Sequence, residues 1–154
     1  MIAIRPASAA DQQTLVAIIR QARINPMNLT WPHFVVAVDE ASNTIVGTGQ
    51  IKRHNDGSYE LASIATLPAY QRQGIAGRVI RHLMAGHTDD LYLTCRHSRE
   101  GFYQRFGFRT LADAELPSYF RRLTKIARTM IRLARSDDRL LVMKLQRGTE
   151  KSQI

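Results

Sequence analysis

The sequence predicts one domain of mixed α and β structure, an α+β fold, from its length, its composition and its alternating periodicity. Its 154 residues suit a single domain spanning residues 1–154, since typical domains hold about 100–150 residues. Hydrophobic residues make up 44% of the chain and charged residues 23%, which excludes collagen-like and disordered proteins. Short β-branched runs alternate with segments of helical spacing, and this alternation predicts the mixed fold.

The first predicted elements are a helix and a pair of strands. Ser8 stands three residues before Asp11, which is a capping-box spacing, and apolar residues at helical intervals follow. We therefore predict a helix over residues 9–24. The apolar run at 34–38 and the run at 44–53, with a polar turn between them, predict two antiparallel strands.

A second turn and a second helix follow. Asn-Asp-Gly-Ser at 55–58 is a strong turn signal, so residues 58–66 should return as another strand, ended by Pro68. The next helix is predicted from the spacing of its apolar stripe, which consists of Val79, Ile80, Leu83 and Met84.

The last third of the chain predicts further alternation. We expect a strand at 91–95, a short helix at 98–105 and a last strand at 140–145. Between them lies a basic helical insertion at about 117–135, with a helix over 118–135. Its predicted buried stripe consists of Leu123, Ile126, Met130 and Leu133.

Charge and composition limit the classes of partner. The net charge of +9 favours anionic partners through long-range attraction. Cys95 is the single cysteine, so no intrachain disulfide can form, and we expect it to be a buried small apolar residue. The apolar runs are far shorter than the ~20 residues that a membrane span needs, so we expect a cytoplasmic protein with no membrane partner. The histidines show no metal-ligand spacing, and we expect no metal site.

The segment 71–77 has the character of a phosphate-binding turn. It joins a predicted strand to the start of a predicted helix, where unpaired backbone N–H groups and the helix dipole favour an anion. Arg72 adds a positive charge, and Gly74 and Gly77 leave the backbone open to approach. The segment matches neither the P-loop nor the dinucleotide-binding glycine pattern.

This turn resembles the acyl-CoA loop of the GNAT N-acetyltransferase superfamily. The family pattern Q/R-x-x-G-x-G/A is met by Gln71, Gly74 and Ala76. The segment 60–68 is similar to the fourth strand of the family, and the segment 101–108 is similar to its FYxxFGF motif. The resemblance covers about residues 2–110.

The resemblance implies a mostly antiparallel central sheet flanked by helices and splayed between its fourth and fifth strands. It also implies acetyl-CoA as co-substrate, with the pyrophosphate on backbone amides of the 72–77 segment and the pantetheine arm along the fourth strand. The residues implied in acetyl-CoA binding are Ile64, Ala65, Thr66, Gln71, Arg72, Gln73, Gly74, Ile75, Ala76 and Gly77.

Direct acetyl transfer to an amine needs a base and an acid. An aliphatic ammonium must lose a proton before it can attack, and the departing thiolate must gain one. Glu60 stands fourteen residues before Gly74, the offset of the base carboxylate in the histone-acetylating branch of the family. Tyr103 stands four residues before Gly107, where the family usually has its acid tyrosine. His97 is an alternative base.

The expected acceptor is a small primary amine that also carries a carboxylate or phosphate, because a strongly basic protein repels polycations. Two other functions remain open at this point. A nucleic-acid-binding module would use the basic helix, although no zinc-finger, RRM or clear helix-turn-helix pattern supports it. A non-catalytic CoA sensor would need neither Glu60 nor Tyr103. A homodimer is possible in each case.

Overall fold

The computed structural model describes residues 1–134 and 139–148. The strands are β1 (Ile2–Pro6), β2 (Phe34–Asp39), β3 (Thr44–Arg53), β4 (Tyr59–Thr66), β5 (Leu91–Arg96), β6 (Arg109–Thr110) and β7 (Leu140–Leu145). The helices are α1 (Gln12–Ala22), α2 (Ile75–Ala85), α3 (Glu100–Gln104) and α4 (Ser118–Ala134). The seven strands are ordered β1-β2-β3-β4-β5-β7-β6, with β4 and β5 parallel, so the predicted mixed and mostly antiparallel fold is confirmed.

The chain forms two compact units. The first contains Met1–Lys52 and Leu61–His87. The second contains Arg53–Glu60 and Thr88–Ile154. Each unit has an apolar cluster of its own.

In the first unit α1 packs against β2 and β3. The strands pair antiparallel, with Ile4 opposite Ala37 and Val36 opposite Thr48, as predicted for β2 and β3. The buried side chains Leu15 and Ile19 of α1 contribute to this cluster. The observed α1 is shorter than the predicted segment 9–24, since residues 9–11 form a single 3₁₀ turn.

Helix α2 lies unusually close to β3. A Cβ added to Gly49 would lie 2.6 Å from Cγ1 of Val79 and 2.9 Å from Cδ1 of Ile64. Only a glycine leaves room for these side chains at this position. The predicted stripe is confirmed in part, because Val79, Ile80 and Leu83 are buried and Met84 is half-buried. The close approach fixes where α2 begins.

A partly buried ion pair holds the start of α1 to β1. Asp11 is 8% exposed, and its carboxylate accepts hydrogen bonds from Nη1 of Arg5 at 2.7 Å and Nη2 at 3.1 Å. The backbone N–H of Ser8 donates to the same carboxylate at 2.7 Å, which completes the predicted capping box. The hydrogen bonds from Arg5 lower the pKa of Asp11 to about 2, against a smaller opposing effect of burial.

The second unit is built around β5 and β7. These strands pair antiparallel over their full length, from Leu91 opposite Leu145 to Arg96 opposite Leu140. Cys95 is buried, as predicted, with its Sγ 3.7 Å from Sδ of Met143. The first turn of α4 adds Phe120, which is fully buried.

The predicted buried stripe of α4 is confirmed at Leu123, which is half-buried, and is wrong at Ile126 and Met130. Ile126 and Met130 are 61% and 64% exposed, whereas Phe120 and Thr124 are buried. The buried face is therefore rotated around the helix axis, because Phe120 anchors α4 to the unit and Leu123 packs beside it. Leu133 lies outside the side chains that the structure describes, and residue 135, where the predicted helix ends, lies outside the described residues.

Within the described ranges 1–134 and 139–148, no helix combines the length and the hydropathy that a membrane crossing requires.

We predict that the Arg5–Asp11 pair makes stability depend on pH. The pKa of Asp11 is about 2 when folded against 3.8 in the unfolded chain, so its contribution is complete above pH ~4 and is lost as the pH falls toward about 2. At neutral pH, Asp11→Asn should lower the free energy of unfolding by about 2 kcal/mol, from 1.36 kcal/mol per pKa unit.

The difference from wild type in urea unfolding should shrink toward zero as the pH is lowered to about 2. Glu40→Gln, which removes an exposed acid next to β2, is the matched control. A difference of the same size at neutral and acid pH would contradict this account of Asp11.

Candidate active site

The start of α2 is open and carries no capping side chain. Gly74 precedes the helix with a left-handed φ of 78°, and no side chain caps the helix start. The first turn contains no acidic residue, so the positive end of the helix dipole is not neutralised locally. A Cβ added to Gly74 would meet nothing within 4 Å, which leaves the backbone N–H groups accessible to a ligand.

The loop before this helix start is held by its own glutamines. Gln71 donates from Nε2 to the carbonyl of Thr66 at 3.2 Å, and Gln73 donates to the carbonyl of Ala69 at 3.4 Å. Arg72 lies between them with a left-handed φ of 62° and an exposed side chain. These features fit the binding of a phosphate group, with Arg72 supplying a full positive charge.

The end of β4 offers one unsatisfied polar atom. Ala65 is buried, and Ile64 and Thr66 are half-buried. Oγ1 of Thr66 is buried and has no hydrogen-bond partner among residues 1–134 and 139–148. Mid-strand, Ser63 has a left-handed φ of 58°, which makes β4 irregular just before these residues. A buried hydroxyl without a partner is a place where a polar ligand group gains a hydrogen bond.

Glu60 is buried rather than facing water. The residue is 5% exposed, and Oε1 of its carboxylate lies 2.8 Å from Nε2 of His54. Each side chain of this pair is 7% exposed. An ionised carboxylate only accepts hydrogen bonds, so the imidazole donates from Nε2.

The first turn of α4 closes over His54. The ring of Tyr119 stacks on the imidazole with centroids 3.4 Å apart and planes 11° apart. Phe120 meets the imidazole edge-on at 5.8 Å. Burial raises the pKa of the Tyr119 phenol, and the negative charges of Glu60 and Asp56 raise it further.

Asp56 fastens this helix start to the turn between β3 and β4. Its carboxylate accepts hydrogen bonds from the backbone N–H of Tyr119 at 2.9 Å and from Oγ of Ser58 at 2.6 Å. Desolvation opposes ionisation, but the hydrogen bonds from Ser58 and Tyr119 outweigh it and lower the pKa of Asp56 to about 2. An anion at a helix N-terminus is also favoured by the helix dipole.

Tyr103 lies in α3 and is half-buried among aromatic rings. Its ring packs edge-on against Phe102 at 5.0 Å and Phe108 at 6.2 Å. Desolvation is the main cause that raises the pKa of its phenol to about 12, and the proximity of Cys95 adds to it. The phenol is therefore fully protonated at neutral pH. His97 is exposed, and no described contact links it to Glu60 or Tyr103.

A cleft of about 470 Å³ lies in the second unit beside the strand start that carries Glu60. It contains three acidic side chains and one arginine. Its lining residues are Asp56, Gly57, Ser58, Tyr59, Thr88, Asp89, Asp90, Tyr92, Pro117 and Arg147. Within residues 1–134 and 139–148, no group of three or more His, Cys, Asp or Glu side chains could hold a metal ion.

Sequence reasoning missed His54, Asp56 and Tyr119. One signal was available, because the turn at 55–58 folds the chain back and brings His54 toward Glu60. The backbone N–H of His54 donates to the carbonyl of Ser58 at 2.9 Å in this turn. Tyr119 gave no signal, since its contact depends on how α4 packs.

Comparison with known proteins places these features in a family. Residues 30–110 match the sequence profile described as the acetyltransferase (GNAT) domain. No curated protein is significantly similar to the sequence.

Several solved structures share the fold. N-acetylglutamate synthase from Neisseria gonorrhoeae, in complex with coenzyme A and N-acetyl-glutamate, has a TM-score of 0.71 and 22% identity over 96% of this chain. The chain spans about a third of the length of that enzyme, covering 36% of it. The ribosomal-protein-S18-alanine N-acetyltransferase from Escherichia coli has a TM-score of 0.69 and 16% identity, covering 100% of this chain and 99% of its own.

We predict that Asp56 stabilises the second unit through α4. Asp56→Ala should lower the free energy of unfolding by about 1 kcal/mol, the usual cost of losing a carboxylate cap. The matched control is Asp113→Ala, which removes an exposed ion pair between Asp113 and Arg128 of the same helix and should cost well under 1 kcal/mol. Equal losses in urea unfolding for the two variants would contradict the capping role.

Proposed function

The chain belongs to the GNAT acetyltransferase family, and from this we propose that it transfers the acetyl group of acetyl-CoA to the primary amine of a small acceptor. The observation that carries the proposal is the uncapped start of α2 at Gly74, because it presents backbone N–H groups to an anion. Several structures of the same fold were solved in complex with coenzyme A. These complexes support the CoA pyrophosphate as the anion that the start of α2 binds.

In this proposal acetyl-CoA is held by residues of the first unit. The backbone N–H groups of the segment 72–77 bind the pyrophosphate, and Arg72 adds its charge. The pantetheine arm follows Ile64, Ala65 and Thr66, and the buried Oγ1 of Thr66 supplies a hydrogen bond. Acetyl-CoA supplies a thioester carbonyl carbon for the amine to attack and a thiolate as leaving group.

Glu60 acts as the base. Its carboxylate accepts a proton from the acceptor ammonium, which frees the nitrogen lone pair for attack. The burial of Glu60 and its contact with His54 support this role, since a fixed carboxylate loses little freedom when it takes part in the reaction.

Tyr103 supports the leaving group. With a pKa of about 12 its phenol keeps its proton at neutral pH and can donate it toward the sulfur. A thiol has a pKa of about 8.5, so complete proton transfer from Tyr103 is uphill. We therefore assign Tyr103 mainly to hydrogen bonding of the departing thiolate. The phenol delivers its proton late in bond cleavage and regains one from the attacking nitrogen, which loses its second proton as the amide forms.

The acceptor is a small amine that also carries an anionic group. The cleft at the start of β4, which Tyr59 lines, contains carboxylates that attract an ammonium, together with Arg147, which suits a carboxylate or phosphate. The net charge of +9 favours an acceptor with an anionic group over a polycation.

We predict that Glu60→Gln lowers kcat for acetyl transfer by about 10²–10⁴, the usual contribution of a general base. The measurement is release of free CoA thiol from acetyl-CoA with a panel of L-amino acids and amino sugar phosphates. Hydroxylamine is the control nucleophile, because it is mostly unprotonated at neutral pH and needs no base. Wild-type rates for the variant with the panel amines would refute the role of Glu60.

We predict a smaller loss for Tyr103→Phe, about tenfold to a hundredfold in kcat. The substitution keeps the aromatic packing against Phe102 and Phe108 but removes the phenol hydrogen. The loss should be the same for hydroxylamine and for the panel amines, since the leaving group is CoA thiolate in both. Wild-type thiol release by both this variant and Glu60→Gln would contradict the catalytic roles assigned to the two side chains.

A further inference from the structure

His54 is a buried imidazole whose contacts are fixed on three sides. Its Nε2 faces Oε1 of Glu60 at 2.8 Å, its ring face covers Tyr119, and its edge meets Phe120. Stacked and edge-on aromatic contacts of this kind each contribute to holding a ring in one orientation. The imidazole can therefore neither rotate nor withdraw from the carboxylate without breaking several contacts.

The pairing distinguishes the two oxygens of Glu60. Oε1 accepts the hydrogen bond from His54. Oε2 has no hydrogen-bond partner in the part of the chain that the structure describes. A carboxylate held at one oxygen presents the other in a fixed direction, which is the condition for efficient proton transfer.

The contacts of His54 come from the first turn of the basic helix. Tyr119 and Phe120 belong to α4, and Asp56 binds the backbone N–H of Tyr119. Phe120 also stacks on Tyr92 of β5 at 5.4 Å, and Tyr92 lies opposite Glu60 in the parallel pairing of β4 and β5. The start of α4 thus contacts both His54, which binds Glu60, and Tyr92, which pairs with Glu60 across β4 and β5.

A buried imidazole–carboxylate pair of this kind gives little net stability. Desolvation of the two groups offsets much of their attraction, and an apolar pair of similar volume often stabilises a protein as well or better. Stability alone therefore does not account for the presence of a hydrogen-bonded imidazole at this point in the core.

We propose that His54 is a positioning residue for the base Glu60, and that the first turn of α4 holds the imidazole in place through Tyr119 and Phe120. The inference rests on the proposed function of Glu60. It gives α4 a role in the reaction through Tyr119 and Phe120, which its basic residues do not indicate.

The test compares two substitutions of His54 by thiol release with the panel amine that reacts fastest. His54→Leu removes the donor and should lower kcat tenfold to a hundredfold. His54→Gln keeps an N–H donor and should recover to within about fivefold of wild type. The KM for acetyl-CoA should change less than twofold in both, and hydroxylamine should react at the wild-type rate, since it needs no base.

Tyr119→Leu, which removes the stacked ring, should lower kcat in the same selective way and covers the case in which His54→Leu does not fold. Lys125→Gln, an exposed change on α4, is the control that should leave kcat unchanged. Melting temperatures of all variants establish that they are folded.

The outcomes separate the two proposals. If Glu60→Gln is inactive with the amine while folded His54→Leu and Tyr119→Leu keep wild-type kcat, the positioning role is overturned and the role of Glu60 stands. Equal losses for His54→Gln and His54→Leu, shared by hydroxylamine, also overturn it, since they indicate structural damage. If Glu60→Gln has wild-type activity, or no panel amine reacts above the uncatalysed rate, the proposed function fails and the inference fails with it.

Discussion

The burial of the Glu60 carboxylate is the constraint on which the second unit depends. A carboxylate removed from water needs a hydrogen-bonded partner, and His54 supplies it at 2.8 Å. The imidazole in turn needs a closed environment, which Tyr119 and Phe120 provide. Asp56 completes the arrangement because it binds the start of α4 to the turn that separates His54 from Glu60. Each of these contacts therefore holds the next group in place, from Asp56 through Tyr119 and His54 to Glu60.

The two helix starts at Gly74 and Ser118 differ in how their dipoles are neutralised. Asp56 satisfies the start of α4 from within the chain, and this anion cannot be exchanged. The start of α2 has neither a capping side chain nor an acid in its first turn. The same electrostatic property therefore serves structure at α4 and, in the proposed function, binds the pyrophosphate at α2. The close packing of α2 on β3 at Gly49 keeps the open start in a fixed place.

Periodicity and turn chemistry predicted most of the elements. The strand Thr44–Arg53, the strand Leu140–Leu145 and the capping box of Ser8 and Asp11 were all predicted from local residues. The buried stripe of α4 was predicted correctly only at Leu123. Ile126 and Met130 have the right spacing, but Phe120 decides which face is buried. Spacing from Gly74 drew attention to Glu60, but its partner depends on long-range packing with α4. The assigned roles of Glu60 and Tyr103, and those of the residues implied in acetyl-CoA binding, stay predictions.

A titration of the ¹⁵N-labelled protein with acetyl-CoA, followed by amide chemical shifts in NMR, tests the central claim most directly. The account predicts that the largest shifts occur at Gly74, Ile75, Ala76 and Gly77, because their N–H groups bind the pyrophosphate. These shifts should persist at high salt, where exposed charges are screened. Shifts confined to the exposed cations of α4, or shifts that vanish at high salt, would contradict it.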